Sequence, residues 1–157
     1  MKTPSPPTPA DDVRFMRLAL TEARRGAELG EIPVGALIVT SSGRVVGRGY
    51  NMTEALSDVT AHAEMQAITA AAQALGGQYL TDCTIYVTLE PCLMCAGAIS
   101  WSQICRVVIG ADDPMRGYSS FTHRQPFHPR TTVECGVCAE ESAQLIRDFF
   151  KQRRLEK

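Results

Sequence analysis

The sequence has no hydrophobic run long enough to cross a membrane and no excess of charge of either sign. Its longest apolar stretch, Pro33 to Val39, is far shorter than the roughly 20 residues that a transmembrane helix needs. Lys and Arg number 16 against 17 Asp and Glu, which excludes a globally basic protein but leaves room for a local basic stripe. The opening residues MKTPSPPTPADD lack the apolar segment of a secretory signal, so we expect a cytoplasmic protein without a membrane partner.

The chain has the length and composition of one globular domain, with 157 residues of which 45% are apolar. Four prolines among the first ten residues predict a flexible tail over residues 1–10, followed by a single domain over 11–157. Helical and strand patterns alternate along that domain, with Thr60 as the expected N-cap of the second helix and Pro91 as the first residue of the third. Helices are predicted at 13–27, 61–75, 91–101 and 139–154, and strands at 34–40, 45–50, 84–89, 106–110 and 131–135. Such alternation indicates an α/β fold with three α/β/α layers.

Two short motifs carry the residues that are typical of metal chemistry. The first is His62-Ala-Glu64 and the second is Pro91-Cys92-Leu-Met-Cys95, and each falls at a predicted helix start. Because the Cα–Cβ bonds of a helix tilt toward its N-terminus, side chains of the first turn can converge beyond the helix end. Two helix starts that meet would therefore bring His62, Cys92, Cys95 and Glu64 together.

One imidazole and two thiolates form a ligand set for Zn²⁺ that leaves the fourth tetrahedral position open to water. Zinc lowers the pKa of such a water toward ~7, and the positive helix ends favour the thiolates. Glu64 would then be free to carry a proton as the catalytic residue. A structural zinc module without catalysis is the alternative, and it is disfavoured because a closed site needs a fourth protein ligand.

Longer stretches around these motifs resemble the bacterial tRNA-specific adenosine deaminases, which form inosine at the first anticodon position of tRNA. The resemblance runs from about Asp12 to Arg154 and is carried by five stretches: Glu31–Ala36, Gly49–Asn51, Thr60–Glu64, Tyr86–Ala98 and Arg106–Ala111. It implies a cytidine-deaminase-like sandwich with a central mixed five-stranded sheet, a homodimer, and one Zn²⁺ per subunit. It also implies Asn51 and Asp113 as substrate-binding residues.

The base to be deaminated must leave its stack to reach the metal, so an apolar slot is expected. Ile32, Pro33 and Val34 are the candidates to line it, with plain strand packing as the alternative for Ile32. The segment 113–130 departs from the Gly/Ala/Ser-rich pattern of the tRNA enzymes, which keeps open a second interpretation. In that interpretation the chain deaminates a free nucleobase or nucleoside such as guanine, cytosine or adenosine.

A basic stripe on the last helix favours RNA. Arg147, Lys151 and Arg154 recur at i, i+4 and i+7, with Arg153 adjacent, and the resemblance places the matching segment beside the anticodon stem-loop. A solvated helix face is the alternative.

The remaining cysteine pair, Cys135 and Cys138, is interpreted as packing cysteines or a redox pair, with a second zinc site as the weaker possibility.

Overall fold

The computed structural model describes residues 5–157, which form four helices and a five-stranded sheet. The helices are α1 (Pro9–Glu28), α2 (Ala63–Leu75), α3 (Leu93–Ser102) and α4 (Ala139–Leu155). The strands are β1 (Gly35–Thr40), β2 (Val45–Tyr50), β3 (Cys83–Leu89), β4 (Arg106–Ala111) and β5 (Thr132–Glu134). Within these residues no helix combines the length and apolar character that a membrane span requires.

The sheet is mixed, with strand order β2-β1-β3-β4-β5. Strand β1 is antiparallel to both β2 and β3, whereas β3, β4 and β5 are parallel to one another. Because β3 and β4 run in the same direction, the segments that follow them leave the sheet at one common edge. Cys92 and Asp113 are therefore brought to the same side of the molecule.

The two faces of the sheet bury different sets of side chains, as the two-residue period of a strand requires. On one face Leu37 and Tyr86 pack against Phe15 and Met16 of α1. On the other face Ile38, Ile85 and the residues that share their orientation pack against alanines of α2 and against Ile99 of α3. Helix α4 lies on the α1 side, where a Cβ on Gly110 would collide with Ser142. The expected three-layer sandwich with a mixed five-stranded sheet is confirmed.

Three predicted details at the helix starts were wrong. The tail over residues 1–10 is too long, because α1 begins at Pro9 with a capping box in which Thr8 and Asp11 bond each other's backbone N–H. Residues 1–4 of that tail lie outside the described residues. Thr60 is not the cap of α2, since its N–H and hydroxyl both bond Asp58 and His62 is the N-cap instead. Pro91 precedes α3, whose N-cap is Cys92.

The apolar positions of α4 predict that Leu145, Ile146, Phe149 and Phe150 face the core. Ile146 packs against the core as predicted. Phe150, however, is 42% exposed, and it forms an edge-to-face pair with Phe149 at a centroid distance of 5.5 Å. The end of α4 therefore carries an aromatic pair at the protein surface instead of extending the core.

Candidate metal centre and substrate mouth

The metal-binding motifs meet because α2 and α3 point their N-termini at one place. His62 and Cys92 are the N-cap residues of these helices, both in extended backbone conformation and neither using its side chain as a cap. Cys95 lies in the first turn of α3, where it is fully buried. The start of α2 also lies directly against β2, where a Cβ on Gly49 would overlap the Ala63 carbonyl oxygen.

The three expected ligands form a triangle of the size that zinc requires. Nδ1 of His62 lies 3.6 Å from Sγ of Cys92 and 3.5 Å from Sγ of Cys95, and all three ligand atoms lie within 4.8 Å of one another. Tetrahedral zinc with Zn–S of about 2.3 Å and Zn–N of about 2.0–2.1 Å would separate sulfur from nitrogen by ~3.6 Å. The ligand atoms thus fit one tetrahedrally bound ion with a position left over.

Without a cation, His62, Cys92 and Cys95 are held together by hydrogen bonds, whose protons a metal ion would displace. Hydrogen bonds from the Cys95 thiol and the His62 ring lower the pKa of Cys92 to about 3. The pKa of Cys95 is raised, because its thiol donates a hydrogen bond to the Cys92 sulfur and because the thiol is buried. The hydrogen bond with Cys92 raises the pKa of His62. A divalent cation takes the place of these protons and supplies the charge that two thiolates need.

Glu64 lies beside this triangle and is not part of it. It is the second residue of α2, the residue is 3% exposed, and the group of possible metal ligands does not include it. Burial raises the pKa of its carboxyl group. A carboxyl group in this position can exchange protons with a molecule at the metal site while water from the bulk is kept out.

Asn51 joins the start of α2 to the segment before β1. Its Oδ1 accepts a hydrogen bond of 2.9 Å from the Ala63 N–H, and its Nδ2 donates one of 3.2 Å to the Ile32 carbonyl oxygen. Each end of the amide keeps a further hydrogen-bonding position. Its expected role as a partner of the substrate nucleotide stays a prediction, and its role in holding the first turn of α2 is a feature that the sequence did not indicate.

The three apolar candidates for the base slot have different surroundings. Val34 is a core residue and Pro33 is buried, whereas Ile32 is 42% exposed. Ile32 lines a cleft of about 270 Å³ together with Phe149 and Phe150 of α4. The lining role of Pro33 and Val34 stays a prediction, and Ile32 is the side chain of this stretch that faces an open surface.

The predicted basic stripe on α4 divides into two parts. Arg153 and Arg154 line the same cleft as Ile32, and Arg153 donates to the Gly30 carbonyl oxygen while its guanidinium lies over the Phe149 ring. Arg147 instead pairs with Glu140 at 2.7 Å. Lys151 is exposed on the same helix. Two of the four basic residues therefore reach the cleft.

Asp113 follows β4 and its carboxylate closes a turn. Its Oδ1 accepts the N–H groups of Met115 and Arg116 at 3.2 and 3.1 Å, and its own N–H donates to Glu90. Its expected contact with the substrate nucleoside stays a prediction. Glu90 and a second buried acid, Glu31, were not identified from the sequence, although both take several backbone hydrogen bonds near the site.

The second cysteine pair does not join a metal cluster. Cys135 is exposed, and Cys138 is half-buried in a left-handed backbone conformation with φ of 55° ahead of α4. Across residues 5–157 the group His62, Cys92 and Cys95 is the one that offers three close ligands. A second zinc site at Cys135 and Cys138 is therefore not supported.

Comparison with known proteins agrees with this centre. The family model described as the cytidine and deoxycytidylate deaminase zinc-binding region matches residues 9–111. A tRNA-specific adenosine deaminase of Agrobacterium fabrum is 44% identical over 151 residues, which cover 94% of this chain and 99% of the relative.

Two solved structures are similar to this chain to different extents. A structure from a study of A-to-I editing by tRNA:A34 deaminases at the wobble position superposes with a TM-score of 0.77 at 44% identity, covering 84% of this chain and 98% of that one. A guanine deaminase from Bacillus subtilis has a TM-score of 0.60 at 40% identity, covering 63% of each chain. The ligand triangle, the sandwich fold and these similarities together show that the chain belongs to the zinc-binding cytidine and deoxycytidylate deaminase family and, within it, to the tRNA-specific adenosine deaminases.

Proposed function

We propose that this chain is a zinc-dependent hydrolytic deaminase that converts adenosine to inosine at the first anticodon position of tRNA. The observation that carries the proposal is the triangle of His62, Cys92 and Cys95 with the buried Glu64 beside it. The full-length similarity to a tRNA-specific adenosine deaminase supports RNA as the substrate class.

The metal and the protein divide the chemistry between them. His62, Cys92 and Cys95 would hold one zinc ion, which when bound activates a water molecule for attack on C6 of adenine. Glu64 accepts a proton from the attacking water and delivers it to N1 of the ring. It then accepts the second proton from the hydroxyl group now bonded to C6 and delivers it to the leaving amino group, so that the C6–N bond breaks, ammonia departs and inosine remains. Its burial keeps this proton exchange between the carboxyl group and the substrate.

The surroundings of the centre provide surfaces that suit a nucleotide within an RNA loop. The cleft lined by Ile32, Phe149 and Phe150 offers apolar and aromatic groups, on which unstacked bases can lie. Arg153 and Arg154 bring positive charge to the same cleft, where it can neutralise phosphates. A free base would make no use of this second surface.

Deamination of a free base is the second candidate function, because a guanine deaminase is 40% identical over 63% of the chain. The two candidates are separated by a substrate panel at defined salt concentration. We expect a tRNA transcript with adenosine at the first anticodon position to gain inosine, and a transcript with guanosine there to remain unchanged. Ammonia release from free guanine, cytosine or adenosine, with no inosine in the tRNA, would establish the alternative.

A homodimer in the cytoplasm completes the proposal. Helix α3 exposes Leu93, Met94 and Trp101, the last with 84% of its surface accessible. Exposed apolar groups of this size on one helix are typical of a protein interface.

Location in the cytoplasm agrees with the proposed tRNA substrate and with six cysteines that are all free thiols.

A further inference from the structure

Glu90 is a buried carboxylate that the proposed chemistry does not use. It lies in the chain between Leu89, the last residue of β3, and Cys92, and the residue is 7% exposed. Oε1 accepts the Asp113 N–H at 3.3 Å, and Oε2 accepts the Ser119 N–H and hydroxyl at 2.9 and 2.8 Å. One side chain thus binds both ends of the segment 113–119.

The backbone brings this segment against the residues that precede the metal ligand. The Tyr118 N–H donates to the Pro91 carbonyl oxygen at 2.9 Å, one residue before Cys92. At Gly117 a Cβ would overlap Oε2 of Glu90 and the backbone carbonyl oxygen of Asp113, so this position must be glycine for the carboxylate and the turn to keep their places. The segment and the ligand-bearing strand end are therefore joined through Glu90 and through a direct backbone hydrogen bond.

We propose that Glu90 is a positioning residue that holds the segment 113–119 in place as one wall of the substrate mouth. The inference rests on the proposed function and on the predicted contact between Asp113, the first residue of this segment, and the substrate nucleoside. Hydrogen bonds to an ionised carboxylate are stronger than those between neutral groups, so one buried acid can order a loop. Asp113 to Arg116 belong to neither core cluster. Glu90 accepts the Asp113 N–H, and the Asp113 carboxylate in turn accepts the N–H groups of Met115 and Arg116, so the order of this stretch depends on the two acids in series.

Two substitutions disturb this contact from opposite sides. Glu90→Gln keeps the size of the side chain but turns an acceptor oxygen into an amide donor that faces N–H groups. Gly117→Ala leaves the carboxylate chemically intact, and its added methyl group displaces both the carboxylate and the Asp113 carbonyl oxygen. Glu22→Gln is the matched control, since Glu22 is a buried acid on α1 that pairs with Arg25 and Arg48 instead.

The first measurement needs no substrate. Amide hydrogen exchange at Asp113 and Ser119 in the zinc-loaded protein is expected to accelerate by about tenfold or more in both variants, the factor that follows from losing one charge-assisted hydrogen bond. The same amides should exchange at the wild-type rate in the control. Because both variants remove one contact, their double variant should be no faster than the stronger single one.

The second measurement is steady-state deamination of an anticodon stem-loop. KM is expected to rise by about tenfold while kcat and the zinc content keep their wild-type values, since the wall binds substrate and takes no part in the chemistry. Unchanged exchange, a rise in exchange without a rise in KM, a fall in kcat alone, or loss of zinc would each overturn the proposal. If the wild-type protein leaves the stem-loop unmodified, the proposed function fails, and KM is then measured on the free base or nucleoside that the substrate panel identifies.

Discussion

Replacing Glu64 by glutamine tests the chemistry most directly. The substitution keeps the volume of the side chain and removes its ability to accept a proton. At 3% exposure the carboxyl group has little contact with bulk water that could replace it, and the other titratable groups at the centre are the metal ligands themselves. General acid–base catalysis contributes about 10²–10⁴ in rate, which corresponds to ~2.7–5.4 kcal/mol of transition-state stabilisation. Because Glu64 moves a proton both to and from the reacting molecule, we expect a loss near the upper end of this range.

The assay combines inosine formation in tRNA with elemental analysis of zinc. Glu64→Gln should retain one zinc ion per chain, because Glu64 is not among the ligands. Glu22→Gln removes an equally buried acid from α1 and should leave kcat unchanged. A zinc-loaded Glu64→Gln protein with wild-type kcat would refute the assigned role. Loss of zinc in the same variant would show that the carboxylate is a ligand.

Three further predictions concern binding, stability and assembly. The double variant Arg153→Ala with Arg154→Ala should bind tRNA more weakly. The slope of log K against log[salt] should become shallower by about 1.4–1.8, the value for two lost phosphate contacts, and an unchanged slope would show that the cleft does not bind RNA. The Arg106 guanidinium donates two hydrogen bonds of 2.7 Å to the Asp12 carboxylate, and Asp12→Ala removes this partner. The free energy of unfolding in urea should therefore fall by about 3–5 kcal/mol, and an unaltered midpoint would mean that the pair contributes nothing. Trp101→Glu should convert a dimer to a monomer in sedimentation velocity, and an unchanged sedimentation coefficient would exclude α3 from the interface.

The elements of the sheet and the metal ligands could be predicted because both depend on short-range patterns. Apolar runs bounded by turn residues indicated every strand to within two residues, and the two motifs indicated three ligands and one free acid. Where local signals compete, the sequence misleads. Thr60 has the chemistry of an N-cap, but Asp58 takes both of its hydrogen bonds. Pro9 falls in the predicted flexible tail, although proline is well suited to the first turn of a helix, and α1 begins there.

Contacts between residues far apart in the chain could not be predicted from a single sequence. Asp12 and Arg106 are 94 positions apart, and the Tyr86 hydroxyl donates to the same carboxylate at 2.8 Å. Glu31 and Glu90 lie between elements, where no periodic pattern marks a buried acid. Their roles follow from the loops that fold around them, so they can be assigned only once the backbone is known.

The spacing of the catalytic motif has a physical explanation in the start of α2. Residues two apart on a regular helix point in different directions, so His62 and Glu64 would diverge if both were helical. His62 is instead the N-cap, with φ of −76° and ψ of 159°, and its side chain leaves the helix axis while Glu64 stays in the first turn. Cys92 and Cys95 repeat this arrangement on α3, with φ of −72° and ψ of 173° at the cap. Each helix start thus brings two side chains to one point, one from the extended cap residue and one from the first helical turn. Two such helix starts are enough to build a centre with three ligands and one unligated acid.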